Sequence, residues 1–262
     1  MMKKPYDYIV KKIGEGIYLI NERLSTMYII EGTEKALVID CGTGVGDFKA
    51  LIESLTPLPY DLVATHAHVD HIGGRGQFSD IYISATDAKK IKSVNTLYRK
   101  FYYFLNKKTN PGVYSNDSVS IKRTETEPKV HIIKEGDSFD LGGGRVVEVF
   151  ETPGHTKGSI SLLLKNEKML FAGDVANSYL FMFLSNTTNI DTLVNTLNKL
   201  YSIEGYDSFW PSHVENCAPK DDILKVRDAA LELQKKKNTI LPCIKTFKYN
   251  DVQIIYRTNN IH

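Results

Sequence analysis

A layered α/β domain is the fold class that the sequence predicts, and three observations carry it. Short strand-like runs are punctuated by turn residues, amphipathic helical stripes interrupt them in both halves of the chain, and the composition is that of an ordinary globular protein. The chain has 262 residues, 42% hydrophobic and 24% charged, with a formal charge of +2. This length can bury a sizeable core. The charge is too balanced to advertise a nucleic-acid or membrane surface. Three cysteines without a Cys-x-x-Cys pair give no disulfide framework.

Taken in order, residues 16–20, 26–31 and 36–40 read as strands separated by turns. Phe48, Leu51, Ile52 and Leu55 then fall at the i, i+3, i+4, i+7 spacing of an amphipathic helix, which Pro57 stops. Residues 61–64 read as a buried strand running into a histidine-rich loop, 81–84 as a further strand, and Thr86 as the cap of a helix through Val94. Residues 95–128 break the rhythm with an aromatic cluster (Tyr98, Phe101, Tyr102, Tyr103, Phe104) and several basic residues. They are expected to form an inserted segment, part helix and part loop, serving as a lid or a homodimer interface on a single domain spanning 1–262. Strands resume at 130–133, 145–150, 160–164 and 169–171. Asp191 stands where it can cap a helix carrying Leu193, Val194, Leu197 and Leu200. Residues 208–210 and 252–257 are strand-like, and Ile223, Val226, Ala230 and Leu233 stripe a last helix. Periodicity alone leaves open a doubly wound sheet or two sheets packed as a sandwich. No apolar run approaches the ~18 residues needed to span a bilayer, and no apolar stretch follows the first lysines, so the expectation is a soluble cytoplasmic protein.

The chemistry concentrates in one segment. Three of the seven histidines fall within Thr65-His66-Ala67-His68-Val69-Asp70-His71-Ile72-Gly73-Gly74. Imidazole and carboxylate together suit Zn²⁺ and, less selectively, iron or manganese. At an extended strand end His66 and His68 project to the same side. After the turn, Asp70 and His71 can face a second ion, with Gly73-Gly74 giving the backbone freedom to turn tightly.

With four further segments, this pattern resembles the metallo-β-lactamase superfamily. They are Glu151-Thr152-Pro153-Gly154-His155-Thr156-Lys157-Gly158-Ser159, Phe171-Ala172-Gly173-Asp174, Trp210-Pro211-Ser212-His213 (with Ser212 where the family usually has glycine) and Val38-Ile39-Asp40-Cys41-Gly42. The resemblance implies a four-layer αββα sandwich and a two-metal centre: His66, His68 and His155 on one ion, Asp70, His71 and His213 on the other, and Asp174 bridging. It implies two divalent ions, zinc first with iron or manganese as alternatives. It also implies a hydrolase whose bridging hydroxide cleaves a small ester, thioester or lactone, Asp70 helping to pass a proton to the leaving group. Tyr179 is a candidate substrate contact.

A phosphodiesterase or ribonuclease of the same fold, and a mononuclear-iron persulfide dioxygenase, are the alternatives. The first would need the basic residues Arg99, Lys100, Lys107, Lys108, Lys122 and Arg123 as a nucleic-acid surface, but a lid or interface explains them without RNA. The partner expected is a small-molecule substrate, with neither membrane nor nucleic acid; a homodimer stays open. Lys157 is expected to be solvated, Cys41 and Cys217 to be packing residues, His131 structural, and His262 part of a disordered end.

Overall fold

The computed structural model describes residues 8–109, 121 and 126–262. The chain forms two compact units. One holds the described residues through Ile133 with Phe139–Val146 and His213–Glu215; the other holds Lys134–Ser138, Val147–Ser212 and Asn216–His262.

The first unit is built on a seven-stranded sheet whose spatial order follows the chain. Strands β1 (Ile9–Gly14), β2 (Ile17–Asn21), β3 (Thr26–Glu31) and β4 (Ala36–Ile39) form an antiparallel meander. From β4 the sheet turns parallel. Helix α1 (Phe48–Leu55) leads to β5 (Tyr60–Val63), the four-residue α2 (Val69–Ile72) and then β6 (Asp80–Ser84). Helices α3 (Ala85–Ala88) and α4 (Thr96–Thr109) precede β7 (Lys129–Ile133), which pairs parallel with β6.

The α1 stripe behaves as its spacing predicts. Asp47 caps it by accepting from Ala50 N at 3.1 Å, Phe48 and Ile52 are buried, and the helix ends at Thr56 before Pro57. The helix expected through Val94 is shorter than its pattern. Ser84, not Thr86, is the cap, α3 stops after one turn, and Ile91–Ser93 is a separate 3₁₀ turn.

The inserted segment is helical over Thr96–Thr109, and Ile121 forms an isolated antiparallel bridge with Val45. Its apolar residues Leu97, Phe101 and Phe104 are exposed, whereas Arg99 is buried and donates to the backbone carbonyls of Thr43 and Gly44, both at 3.0 Å. Arg99 therefore bolts α4 to the loop after β4 and is withdrawn from the basic surface that the phosphodiesterase alternative needed. Lys122 and Arg123 lie outside the described residues, as does the side chain of Lys107.

A six-stranded sheet in the order β14-β13-β11-β10-β9-β8, of which Phe139, Asp140 and Val146 count with the first unit, and a three-stranded sheet in the order β12-β16-β15 make up the strands of the second. The strands are β8 (Ser138–Asp140), β9 (Val146–Glu151), β10 (Ile160–Leu164), β11 (Met169–Gly173), β12 (Tyr179–Met182), β13 (Ser208–Pro211), β14 (Ala218–Pro219), β15 (Ile244–Tyr249) and β16 (Val252–Arg257). β10, between β9 and β11, is buried along its whole length, and its one polar side chain, Ser161, is hydrogen-bonded to Thr152 Oγ1 and Ala172 O. Helices α5 (Ile190–Ser202) and α6 (Asp222–Gln234) pack on each other through Leu193, Leu197, Ile223, Val226 and Leu233. Asn189, two residues before the expected Asp191, caps α5 by accepting from Thr192 N at 2.9 Å. Asp191 instead accepts from His262 at 3.1 Å, so the last residue is docked rather than disordered. Cys217 is exposed and does not pack as expected; Cys41 is buried and does.

Gly73 and Gly74 have ordinary helical angles, φ −61° and −81°, so backbone freedom is not their reason. Close approach is. A β-carbon on Gly73 would sit 2.4 Å from the carbonyl oxygens of Thr43 and Val69, and one on Gly74 would sit 2.2 Å from that of Cys41. The end of α2 and the loop after β4 thus touch backbone to backbone, and Gly74 N donates to Gly42 O at 3.1 Å. Gly74→Ala is expected to destabilise the protein by about 1–3 kcal/mol through overpacking. A lower urea midpoint at unchanged slope would report it, and an unchanged midpoint would show that the loop yields freely.

Candidate metal centre

Parallel pairing of β4 and β5, with Ile39 opposite Val63, brings the ends of the two strands side by side. Asp40 follows β4 in the left-handed region (φ 63°), a conformation that a short polar side chain tolerates better than most. Its buried carboxylate accepts from Thr65 N (2.7 Å), Thr65 Oγ1 (2.8 Å) and His71 Nδ1 (2.7 Å). A buried carboxylate needs such partners, and these three fix both the strand end and the His71 ring.

His66, His68 and His71 gather around this point. The rings of His66 and His71 are 3.9 Å apart at their centroids, and those of His66 and His68 are 4.6 Å apart. Nε2 of His66 and Nδ1 of His68 stand 3.0 Å apart. That is close to the roughly 3.3 Å separating two nitrogens on one tetrahedral zinc at 2.0–2.1 Å. Ala67, between them, is held by its N–H on Asp87 Oδ2 at 2.8 Å. Asp70, His71 and His213 each offer one ligand atom, all within 4.8 Å of one another. Nε2 of His71 lies 3.9 Å and Nε2 of His213 3.7 Å from the same Asp70 oxygen. His213 takes a left-handed backbone (φ 74°), and Ser212 has no positive φ, so glycine is not required there.

The second unit carries the other two expected ligands. His155 and Asp174 are buried, with His155 Nε2 3.3 Å from Asp174 Oδ2. The His155 loop is latched by Thr156 and Ser159, whose hydroxyls are 2.7 Å apart, and by Thr187 and Thr188, which both donate to Gly154 O at 3.1 Å. Lys157 in the same loop is exposed, as expected.

Four imidazoles share one pattern, while His68 turns its Nδ1 toward His66. Nδ1 of His66 meets Thr65 Oγ1 (3.1 Å), that of His71 meets Asp40, that of His155 meets Phe181 O (2.8 Å), and that of His213 meets Leu24 O. Anchoring Nδ1–H on oxygen selects the tautomer whose Nε2 lone pair is left for a cation. Nitrogen and carboxylate donors so oriented fit a borderline divalent ion such as zinc. His131, by contrast, bonds Asp80 at 2.7 Å and stacks on Tyr82, a structural role as expected. Tyr179 is half exposed on β12, its ring edge-on to Phe181 at 5.3 Å.

Sequence reasoning missed Asp87, Glu22 and Ser25. Asp87 had a signal in Ser84-Ala85-Thr86-Asp87, the pattern that opens a capped helix; its carboxylate turns to Ala67 instead. Glu22 and Ser25 sit beside no ligand motif and are identified by contacts across the fold. Burial pushes the Glu22 carboxyl up from 4.5 to about 8, assisted by the charge of Asp70 and opposed by hydrogen bonds from Thr43 and Ser25. The folded protein therefore keeps a proton that the unfolded chain releases. The stabilisation is complete below pH 4.5 and is lost as the pH rises to about 8. In metal-free protein this group should lower the unfolding free energy by about 1 kcal/mol per pH unit across that window. Glu22→Gln should flatten that slope in a denaturation series, and a slope unchanged by the substitution would assign the proton elsewhere.

Residues 20–243 match the family model described as the metallo-beta-lactamase superfamily. Among curated proteins, the chain is 28% identical over 189 residues to an acyl-coenzyme A thioesterase, MBLAC2, of Homo sapiens, covering 64% of this chain and 66% of that protein. It is 25% identical over 221 residues to an atrochrysone carboxyl ACP thioesterase of Aspergillus fumigatus, covering 81% and 58%. The chain thus spans just under two thirds of the length of the first of these relatives. Among solved structures, a metallo-beta-lactamase from Pontibacter korlensis superposes with a TM-score of 0.60 at 18% identity, over 86% of this chain and 99% of that one. The superfamily protein ST1585 from Sulfolobus tokodaii gives 0.57 at 19%, over 87% and 90%. At such identities the structures share the fold alone. The family match over most of the chain, joined to an α/β architecture with oriented histidine and aspartate donors, places this protein in the metallo-β-lactamase superfamily.

Proposed function

We propose that the chain is a metal-dependent hydrolase of thioesters with an apolar acyl group. The observation that carries this reading is the Asp70–His71–His213 group, in which both imidazoles are anchored at Nδ1 and turn Nε2 toward one carboxylate oxygen. The family's ligand pattern extends it to His66, His68 and His155 on one ion, Asp70, His71 and His213 on a second, and Asp174 shared. Zinc suits this donor set first, and iron or manganese are the alternatives. Two such cations would lower the pKa of a water toward roughly 7 and polarise a carbonyl.

The chain's own residues supply the rest. Asp40, Thr65, Leu24 and Phe181 hold the imidazoles so that little reorganisation accompanies reaction. Asp70, with one carboxylate oxygen turned toward His71 and His213, is placed to hold a proton released by water as the acyl carbon–sulfur bond breaks. A thiolate leaves readily near neutral pH, so the step asks little general-acid help from the protein. That chemistry suits a thioester better than an ester of an ordinary alcohol. The names of the two thioesterase relatives support the same choice over a lactone.

The acyl side would be met by the aromatic run on and beyond β12. Tyr179, Phe181 and Phe183 contact one another edge to face, with centroids 5.3 and 5.6 Å apart. The Phe181 carbonyl is also the anchor of His155. Such a strip favours an apolar chain over a phosphodiester.

Purified protein loaded with zinc should bind about two ions per chain and release free thiol from acyl thioesters faster than it opens lactones or cleaves bis(p-nitrophenyl) phosphate. Asp174→Ala should lose one ion and most of the turnover, by 10–100-fold or more. Full metal content and full activity in that variant, or phosphodiester cleavage exceeding thioester cleavage, would refute the reading.

A further inference from the structure

The turn between β2 and β3 belongs to no ligand motif, yet it touches the metal-binding group at several points. Glu22 N donates to Ser25 O at 3.2 Å to close the turn, and Arg23 within it has a left-handed backbone (φ 75°) with its N–H on Asn21 Oδ1. From this turn the Leu24 carbonyl accepts from His213 Nδ1, and Ser25 Oγ donates to the Asp70 carbonyl at 2.6 Å. Just before it, Asn21 Nδ2 donates to Glu215 Oε1 at 2.6 Å, two residues past His213. Beneath it lies the Glu22 side chain, which accepts from Thr43 N at 2.7 Å and Thr43 Oγ1 at 3.3 Å and meets Ser25 Oγ at 3.2 Å.

A proton inventory decides what Glu22 does. A serine hydroxyl has one hydrogen. Ser25 Oγ stands within bonding distance of two oxygens, Glu22 Oε1 and the Asp70 carbonyl, and the carbonyl can only accept. Both contacts are satisfied together if the carboxyl supplies a proton: Glu22 donates to Ser25 Oγ, and Ser25 donates to Asp70. An ionised Glu22 would compete with Asp70 for the same hydrogen. Its complete burial and the nearby Asp70 charge both favour the neutral acid.

We propose that Glu22 is a positioning residue that, as a neutral acid, directs the Ser25 hydroxyl onto the Asp70 carbonyl and holds the β2–β3 turn where Leu24 orients His213. Two of the three members of the Asp70–His71–His213 group then take their placement from it. The inference rests on the reading of that group as metal ligands, but not on which bond the enzyme cleaves.

The test compares wild type, Glu22→Gln, Glu22→Leu and Ser25→Ala, each stripped of metal and titrated with Co²⁺ against a chromogenic chelator. Thr43 N and Ser25 Oγ both meet Glu22 Oε1, so a glutamine amide serves only one of them: as Nε2 it donates to Ser25 and gives up Thr43 N, and as Oε1 it accepts from both. Ser25→Ala and Glu22→Leu should weaken Co²⁺ binding 10–100-fold and alter its visible absorption band, while Glu22→Gln falls between them and wild type. Wild-type affinity in Ser25→Ala or in Glu22→Leu would overturn the proposal. Should Glu22→Leu fail to fold by circular dichroism, Ser25→Ala decides alone: weakened binding supports the proposal and wild-type affinity overturns it. Thioester turnover in the same samples tests the proposed activity separately, since tight Co²⁺ binding without turnover would refute the substrate and leave the affinity comparison intact.

Discussion

The first unit depends on one buried carboxylate. Asp40 sits at the end of a central strand, and a carboxylate so placed must be hydrogen-bonded wherever it is left without water. Its three donors come from the end of the neighbouring strand and from α2, so satisfying Asp40 also sets the spacing of the β4 and β5 ends and the rotation of His71. His71 is in turn tied back through its carbonyl, which accepts from Cys41 N at 2.8 Å. The loop that returns from Asp40 then lies so close to α2 that only glycine fits at 73 and 74. Motif and scaffold are therefore one object here. The residues that would bind metal and the residues that close the loop are fixed by the same few hydrogen bonds.

A second constraint acts on the imidazoles. A free histidine ring has two tautomers and easy rotation, and a metal site needs one of each. In this chain the choice is made by oxygen atoms on unrelated elements: a threonine hydroxyl for His66, an aspartate for His71, and backbone carbonyls for His155 and His213. Backbone anchors cannot be removed by substitution, only displaced by a shift of the chain. The Leu24 carbonyl is as well placed as its turn is rigid, and that turn leans on Glu22.

Legibility in the sequence follows the range of the interaction. Strands β3, β10 and β16 and helix α1 are legible to within a residue because alternation, burial and the i, i+3, i+4 stripe are local signals. Helix starts are less secure. Asn189 and Asp191 are both good caps, and the choice between them is made by Asp191 engaging His262 at the far end of the chain. Thr86 loses to Ser84 because β6 ends there and Asp87 folds back toward Ala67. The ligand segments are legible because histidines crowd within a few residues and because their motifs resemble a known family. Glu22, Ser25 and Arg99 are not, since each takes its role from partners 20 to 60 positions away. Arg99 in particular reads as surface charge in a basic, aromatic segment, and only its carbonyl partners on the loop after β4 show it to be an anchor.

The same long-range logic ties the aromatic run to the His155 ring in the second unit. β12 offers the Phe181 carbonyl to His155 and presents the neighbouring Tyr179 ring to solvent. Backbone direction alternates along a strand, so a carbonyl that orients a ligand and side chains that could contact an acyl group can share three consecutive residues without competing for space. β12 is held on its other side by parallel pairing with β16, from Tyr179 opposite Gln253 to Met182 opposite Tyr256. The C-terminal hairpin thereby stiffens the strand that carries the His155 anchor. An apolar group resting on Tyr179 and Phe181, as proposed for the acyl chain, would press on the same backbone that sets the His155 ring, so the aromatic run and the orientation of that ring would be coupled.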